Sequence, residues 1–160
     1  MEPVMLATDG SPTAAKATKV AIELATALGA PLLVVSCWDI SYQPAVVGFA
    51  PVMPDLDRIG REQAEEVVEQ AAQEARQARV SALTLIRRGD PAREICAVAA
   101  DRDARMIVIG SHGWGAMKRL VFGSVSTGVL HHAQRPVLVV PGTRAPLTNG
   151  ASRVEEVGAR

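Results

Sequence analysis

Glycines and serines cluster in one stretch of the sequence, between an apolar run and a segment that can form a helix. The apolar run covers 106–109, and the helical segment begins near Ser124. Glycine lets a ligand approach the backbone closely, and a helix N-terminus carries partial positive charge with free N–H groups. The stretch therefore predicts an anion site suited to phosphate, although glycines can also serve only the shape of a turn. The glycines of this loop are Gly110, Gly113, Gly115 and Gly123.

Two common phosphate-binding signatures are absent from this loop. A Walker A loop needs Lys and then Ser or Thr after its last glycine, but Ala116 follows Gly115. The signature Gly-x-Gly-x-x-Gly fails as well, because its third glycine position holds a lysine. The spacing that remains is Gly110-x-x-Gly113, then nine residues, then Gly123-Ser124.

Composition and charge exclude several classes of partner. The 160 residues carry 17 basic and 17 acidic side chains, so no net charge favours nucleic acid or an anionic membrane. Hydrophobic residues make up 48% but aromatic ones only 3%, which predicts a core of Ala, Val, Leu and Ile. Cys37 and Cys96 are typical of reduced thiols rather than of a disulfide framework. With no signal peptide or membrane span predicted, we expect a cytoplasmic protein.

Apolar runs alternate with helical patterns along the chain. Ser11 and Asp90 are predicted N-caps, each followed by proline, and Gly29 is the predicted stop of the first helix. This alternation predicts one doubly wound α/β domain with a parallel sheet covered on both faces. The predicted strands are 4–8, 32–37, 80–86, 105–109 and 136–140. The predicted helices are 12–28, 58–79, 90–101 and 125–133.

Two further stretches lack a periodic pattern. Residues 41–57 contain three prolines and a glycine and are predicted to form a long irregular excursion. The polar residues 143–160 are predicted to be a flexible tail after a single domain of residues 1–142. On the first helix, by contrast, a 3.6-residue period predicts that Leu24 and Leu28 share a buried face with Ala17, Val20 and Ala21.

Three segments lie at the carboxyl ends of the first, second and fourth predicted strands, the sheet edge where doubly wound folds bind ligands. They are Thr8-Asp9-Gly10, Cys37-Trp38-Asp39 and the glycine loop. If the first and fourth strands are neighbours, Asp9 faces the glycine loop across a crevice. A carboxylate there would accept hydrogen bonds from a ribose or an adenine. Alternatively, Asp9 only caps or braces the turn before the first helix, and the sequence leaves both interpretations open.

These motifs resemble those of the universal stress protein family, specifically its ATP-binding branch. The resemblance extends over about residues 4–140. It implies a five-stranded parallel sheet in the order 3-2-1-4-5 with helices on both faces, a Rossmann-like fold also called adenine nucleotide alpha hydrolase-like. The motifs that carry it are Ala7-Thr8-Asp9-Gly10-Ser11, Gly89-Asp90-Pro91, Gly110-Ser111-His112-Gly113, Gly123-Ser124-Val125-Ser126 and residues 135–140.

The resemblance also implies a set of binding residues for ATP, with Mg²⁺ arriving on the triphosphate rather than in a protein cage. The non-binding branch of the family breaks the glycine pattern, which this chain keeps. Cys37 would line the adenine pocket. The positions implied for phosphates and ribose are Gly110, Gly113, Gly123, Ser124 and Ser126, with Val125 contributing backbone. The positions implied for adenine and ribose are Ala7, Thr8 and Asp9.

Other polar residues in or near the loop leave alternatives open. His112 either contacts phosphate or a metal, or frames the backbone. Lys118 and Arg119 either neutralise a triphosphate or are solvated. Trp114 is a lid over the ligand or a dimer contact. His131-His132 suits a helix C-terminus better than a metal, and the scattered histidines do not favour a structural zinc site.

The fifth predicted strand is an association site. It lies at an edge in the implied strand order, and 137–140 carries no charge to prevent edge pairing. Family members pair this strand with its twin, which implies a homodimer through 136–140.

Three functions are compatible with the sequence: an ATP-dependent regulator of the stress response, a slow ATPase or phosphoryl-transfer enzyme, and a nucleotide-free chaperone-like dimer. For catalysis the sequence offers no convincing base beyond Asp9 or His112, and we assign no catalytic residue.

Overall fold

The computed structural model describes residues 1–39, 55–113 and 122–142. In these ranges strands and helices alternate along the chain, as the apolar runs predict. The strands are β1 (Val4–Ala7), β2 (Leu32–Trp38), β3 (Ala82–Arg88), β4 (Met106–Gly110) and β5 (Val137–Val140). The helices are α1 (Pro12–Leu28), α2 (Leu56–Gln77), α3 (Pro91–Asp101) and α4 (Ser124–His132).

The described strands form one parallel sheet in the order β3-β2-β1-β4-β5, which confirms the predicted order. Ala7 of β1 lies opposite Val35 of β2 on one side and Ile109 of β4 on the other. The chain first builds outward from β1 to β3 and then crosses over to add β4 and β5. The strand order therefore reverses between β1 and β4, and ligand crevices form at such a point in doubly wound sheets.

Apolar layers cover both faces of the sheet. On one face, α1 and α2 pack against alternate strand residues such as Leu6 and Val34. On the other face, α3 and α4 pack against the residues between them, such as Met5 and Ile107. The central strands are buried on both sides, which explains why they are continuous apolar runs rather than alternating ones.

Local capping signals fix both ends of α1 and the start of α3 where they are predicted. The Ser11 hydroxyl accepts the Ala14 N–H at 3.2 Å, and Asp90 accepts the Arg93 N–H at 2.9 Å. Gly29 follows α1 with a φ of 58°, the left-handed conformation that ends a helix most easily in glycine. These predictions are confirmed.

The end of α2 differs from its prediction. The helix stops at Gln77, and Arg79 takes the left-handed conformation with a φ of 62°. The Val80 N–H then donates to the Ala75 carbonyl at 2.9 Å and closes the helix end. The third strand consequently starts at Ala82 rather than at residue 80. Because an arginine rather than a glycine adopts this conformation, the sequence contains no glycine that would predict the end of the helix.

The buried face of α1 is rotated from the predicted one. Leu28 is 40% exposed, and Leu24 is only partly buried. Because α1 approaches the sheet closely, small side chains occupy the contact and the leucines flank it. The residues that are buried are Ala14, Ala17, Thr18, Ala21 and Ala25.

The predicted excursion over 41–57 is wrong at its end, because Asp55 caps α2 and the helix begins at Leu56. Several other predictions lie outside the described residues, namely those on 41–54, on Trp114, Lys118 and Arg119, and on the tail 143–160. The boundary at residue 142 likewise stays a prediction. Among the helices of the described ranges, none has both the length and the hydropathy that a membrane span requires.

Candidate functional site

Four segments meet at the carboxyl edge of the sheet, beside the reversal between β1 and β4. Hydrogen bonds join them: the Ser11 hydroxyl donates to the His112 carbonyl at 3.4 Å. The Ser111 carbonyl accepts the Gly123 N–H at 2.7 Å, and the Ser111 N–H donates to the Val140 carbonyl at 2.8 Å. The turn after β1, the loop after β4, the start of α4 and the end of β5 therefore form one continuous surface.

Asp9 braces its own turn and also faces the glycine loop. Its Oδ1 accepts the Ser11 N–H at 3.0 Å. Its Oδ2 lies so close to Gly113 that a Cβ on that residue would clash with it. Asp9 thus braces its turn and faces the loop, whereas a hydrogen bond from Asp9 to a ligand stays a prediction. Gly113 is explained by the close approach of this carboxylate.

Gly110 has a packing role. A Cβ there would lie 3.1 Å from Thr13 Cγ2 and 3.2 Å from the Ala14 nitrogen. The glycine therefore lets the first turn of α1 pack against the end of β4. Its contribution to ligand binding stays a prediction.

Gly123 and the start of α4 behave differently from the other helix starts. Gly123 has φ −78° and ψ 168°, and a Cβ there would meet nothing closer than 3.4 Å, so neither backbone nor packing requires a glycine. No described side chain caps α4, whereas Ser11, Asp55 and Asp90 cap the other helices. The first N–H groups of a helix have no acceptor within it, so those of 124–126 can meet an external one.

Ser126 holds the loop closed. Its hydroxyl is buried and lies 2.9 Å from the Ser111 carbonyl and 3.0 Å from the Gly123 carbonyl. The single hydroxyl proton is therefore used within the protein, so the donor that Ser126 can offer to a ligand is its backbone N–H. Ser124 is exposed and Val125 is half-buried against the layer under α3 and α4. Their predicted ligand contacts remain predictions.

Ser111 is the residue that sequence reasoning missed. Its N–H and carbonyl join β5 and α4 to the loop, and its hydroxyl accepts the Gly142 N–H at 3.2 Å. The hydroxyl also lies 2.9 Å from His112 Nδ1. The one signal in the sequence is a small polar residue directly after the buried strand, and this signal does not reveal which segments it joins.

His112 frames the backbone, as one of its two interpretations holds. Its carbonyl accepts the Ser11 hydroxyl proton and its ring contacts Ser111, which ties β4 to the start of α1. A contact with phosphate stays a prediction. Within the described ranges, no group of three or more His, Cys, Asp or Glu side chains is arranged to hold a metal ion.

Thr8, Ala7 and Cys37 form the floor beside Asp9. The Thr8 hydroxyl accepts the Gly10 N–H at 3.3 Å and supports the turn. Ala7 and Cys37 lie on the face of the sheet that α3 and α4 cover. Burial raises the pKa of Cys37 to about 12, with Glu94 adding to the rise, so the thiol is neutral at physiological pH. These residues therefore form an uncharged wall of the candidate site at Cys37.

The arrangement can bind a ligand with three chemically different parts. Free N–H groups at α4 suit an anion, and the carboxylate of Asp9 suits hydroxyl or amine donors. The uncharged wall at Cys37 suits a flat apolar group. Because neighbouring strands are about 4.8 Å apart, these parts follow one another from β4 across β1 to β2 over about 10 Å.

Comparison with known sequences gives one consistent result. The profile described as the universal stress protein family matches residues 1–141. Universal stress protein YxiE of Bacillus subtilis is 32% identical over 143 residues, covering 86% of this chain and 97% of that protein. Universal stress protein Rv2005c of Mycobacterium tuberculosis is 32% identical over 138 residues, covering 86% of this chain and 44% of that protein. This chain therefore spans less than half the length of the mycobacterial relative.

Solved structures share the architecture. Hypothetical protein MJ0577 aligns with a TM-score of 0.77 at 26% identity, over 90% of this chain and 98% of that one. A universal stress protein from Archaeoglobus fulgidus in complex with dAMP aligns with a TM-score of 0.64 at 24% identity, over 88% and 98%. A universal stress protein in complex with cAMP aligns with a TM-score of 0.64 at 21% identity, over 87% and 96%. The last two likenesses establish the fold.

Proposed function

The chain belongs to the universal stress protein family, and from that premise we propose that it is a regulatory protein of the stress response that binds ATP. Proteins of the same fold have been solved with dAMP and with cAMP, which motivates an adenine nucleotide as the ligand class. The observation that carries the proposal is the uncapped N-terminus of α4 beside Gly123.

The phosphates occupy the start of α4. The N–H groups of 124–126 lack intrahelical acceptors, and the helix dipole adds partial positive charge there. Neither the φ nor the packing at residue 123 requires a glycine. A glycine at such a position is expected where a ligand approaches the backbone. Mg²⁺ accompanies the triphosphate and completes its charge neutralisation.

The ribose lies between the phosphates and the base, over Asp9. A carboxylate repels phosphate and accepts hydrogen bonds from hydroxyl groups, so the charge of Asp9 suits the sugar rather than the anion. The adenine then rests on Ala7 and Cys37, where the neutral thiol adds no charge beneath the ring.

The same residues give a route from the nucleotide to a dimer interface. Ser111 closes the loop at Gly123 and also donates its N–H to Val140, the last residue of β5. β5 lies at an edge of the sheet and is uncharged over 137–140. Two copies that pair through 136–140 would therefore respond to a ligand bound at Gly123, which makes the protein a nucleotide-dependent homodimer.

Calorimetric titration with ATP and Mg²⁺ tests the nucleotide site. In the double variant Gly113→Ala, Gly123→Ala, the new Cβ at 113 displaces Asp9 from its position. Loss of one hydrogen bond to a charged group weakens binding about tenfold or more. We expect the double variant to bind ATP at least about tenfold more weakly than the unmodified protein.

Gly29→Ala is the matched control. Gly29 lies at the opposite end of α1 and has a positive φ, so alanine there strains the backbone without reaching the site. Equal loss of affinity in this variant would point to general destabilisation. Unmodified protein that has been freed of co-purified nucleotide, yet binds none of ATP, ADP and AMP, would refute the proposal.

A further inference from the structure

An unsatisfied ion pair lies one strand beyond the wall at Cys37. Arg87 of β3 is the register partner of Cys37 of β2, so both side chains lie on the same face of the sheet. On that face Arg87 meets Glu94, which belongs to the first turn of α3. The pair is therefore at the carboxyl edge, next in line after α4, Asp9 and Cys37.

The two charged groups attract each other but exchange no hydrogen bond. Arg87 Nε lies 3.8 Å from Glu94 Oε2, beyond the 2.7–3.2 Å of an N–H···O bond. Among the described residues, Arg87 Nε is the buried side-chain nitrogen that has no hydrogen-bond partner. Guanidinium and carboxylate groups in partly buried sites normally satisfy each other. Here the buried Arg87 Nε lacks an acceptor, while the rest of the guanidinium and the Glu94 carboxylate are partly exposed.

The carboxylate of Glu94 is held over the turn between β3 and α3. Gly89 precedes α3 with a φ of 136°, and a Cβ there would lie 3.3 Å from Glu94 Oε1. The glycine thus leaves room for the carboxylate at the sheet edge. Both charged groups act on the Cys37 thiol, because Glu94 adds to its raised pKa and Arg87 opposes the rise.

Stability alone gives little reason for the pair. The side chains are 43% and 33% exposed, and ion pairs with that much solvent contact add little to the free energy of unfolding. A hydrogen-bonded geometry would serve stability better than the observed separation.

We propose that Arg87 and Glu94 recognise the polar edge of the nucleobase and select adenine. Glu94 accepts from the exocyclic amino group, and the Arg87 guanidinium donates to the adjacent ring nitrogen. This inference rests on the proposed nucleotide site. From β4 to β3 is about 14 Å across the sheet edge, which suits an extended nucleoside triphosphate whose phosphates lie at α4.

A base with a 6-oxo group fits the pair poorly. Its carbonyl oxygen would face the carboxylate of Glu94, and its ring N–H would face the donor groups of Arg87. Two acceptors would then be opposed at one position and two donors at the other, which leaves polar groups unpaired. Inosine triphosphate, which replaces the amino group of ATP with oxygen, is therefore the discriminating probe.

The test compares ATP and inosine triphosphate binding by calorimetry in the full chain, in Glu94→Gln and in Glu66→Gln. Glu66 is an exposed carboxylate of α2 and serves as the control for loss of one negative charge. The unmodified protein is expected to prefer ATP by about tenfold or more. In Glu94→Gln the amide can donate to the oxo group, so the preference should fall about tenfold, while Glu66→Gln retains it.

Each outcome decides the inference. If Glu94→Gln binds ATP with an unchanged preference over inosine triphosphate, the inference is wrong, but the proposed nucleotide site is unaffected. If the unmodified protein binds neither nucleotide, the proposed function fails and the inference fails with it. Should Glu94→Gln not fold, Arg87→Gln tests the other half of the pair. Its amide oxygen can accept the ring N–H of the oxo base, so the same preference is expected to fall.

Discussion

Cys37 is a single residue whose chemistry is set by its place in the sheet. Burial raises its pKa from 9.0 to about 12, and Glu94 and Asp90 add to the effect while Arg87 opposes it. A thiol of ordinary pKa is a moderate nucleophile at pH 8, because the thiolate is the reactive form. The sequence predicts a small buried side chain here, but the carboxylates that strengthen the shift come from the N-cap and first turn of α3, more than fifty residues away.

We expect Cys37 to resist alkylation. At pH 8 its thiolate fraction is about a thousandfold lower than that of an ordinary thiol, so iodoacetamide should modify it correspondingly slowly. Its rate should continue to rise with pH up to about 12. The Cys96→Ser variant leaves Cys37 as the one thiol, and mass spectrometry measures the rate. The same variant in denaturant is the control, and an equal rate in native protein would contradict the predicted protection.

At the scale of an element, the start of α2 is fastened to the sheet by one aromatic side chain. The Trp38 indole N–H donates to Asp57 Oδ1 at 3.1 Å, and Arg88 Nε lies 3.1 Å from the same oxygen. A Cβ on Gly60 would lie 3.0 Å from Trp38 Cδ1, so the glycine makes room for the ring. These contacts connect the ends of β2 and β3 to the first turns of α2.

Substitutions of Asp57 separate the hydrogen bond from the ion pair. Asp57→Ala removes both and leaves the half-buried indole N–H without its acceptor, so unfolding free energy should fall by about 1–2 kcal/mol. Asp57→Asn keeps an oxygen for the indole and loses only an exposed ion pair, which should cost about 0.5 kcal/mol or less. Urea unfolding measures both. Equal losses in the two variants would mean that the ion pair carries the contact.

Sequence predicts those elements whose ends depend on neighbouring residues. Ser11-Pro12 and Gly29 mark α1 because caps act within a few residues, and the predicted bounds match the structure. The end of α2 depends on Arg79 in the left-handed conformation, which arginine rarely adopts and which no pattern announces.

The candidate site is likewise predictable only where its signals come from neighbouring residues. The motif at Asp9 and that at Gly113 are each visible as turn signals, and sheet order brings them together. Sequence does not show that Ser111 joins three segments, nor that Arg87 stands beside Glu94 without a hydrogen bond. Those contacts depend on strand register and on side-chain orientation, which are determined when the whole sheet assembles.

At the scale of the whole molecule, the two edges of the sheet differ. β3 ends one side with Arg87-Arg88 and makes contact with α2, while β5 ends the other with an uncharged apolar run. Leu138 of β5 is 39% exposed and Leu83 of β3 is 57% exposed. Exposed hydrophobic area alone would favour β3 as the interface, whereas the absence of charge and the link through Ser111 favour β5. Substitutions of Leu138 and Leu83 therefore test whether a homodimer forms through β5 or through β3.

Lysine at these two positions should have opposite consequences for assembly. In a dimer through 136–140, Leu138→Lys places an unpaired charge on each side of the interface, which should weaken dimerisation by about 3 kcal/mol or more, about a hundredfold in Kd. Leu83→Lys adds the same charge to a strand edge outside that interface and should leave the dimer intact. Size-exclusion chromatography with light scattering, over a dilution series with and without ATP, measures the mass of each variant.

A dimer that survives Leu138→Lys but dissociates with Leu83→Lys would place the interface on β3. A monomer at every concentration of the unmodified protein would remove the dimer from the proposed function and leave nucleotide binding to be judged by titration alone.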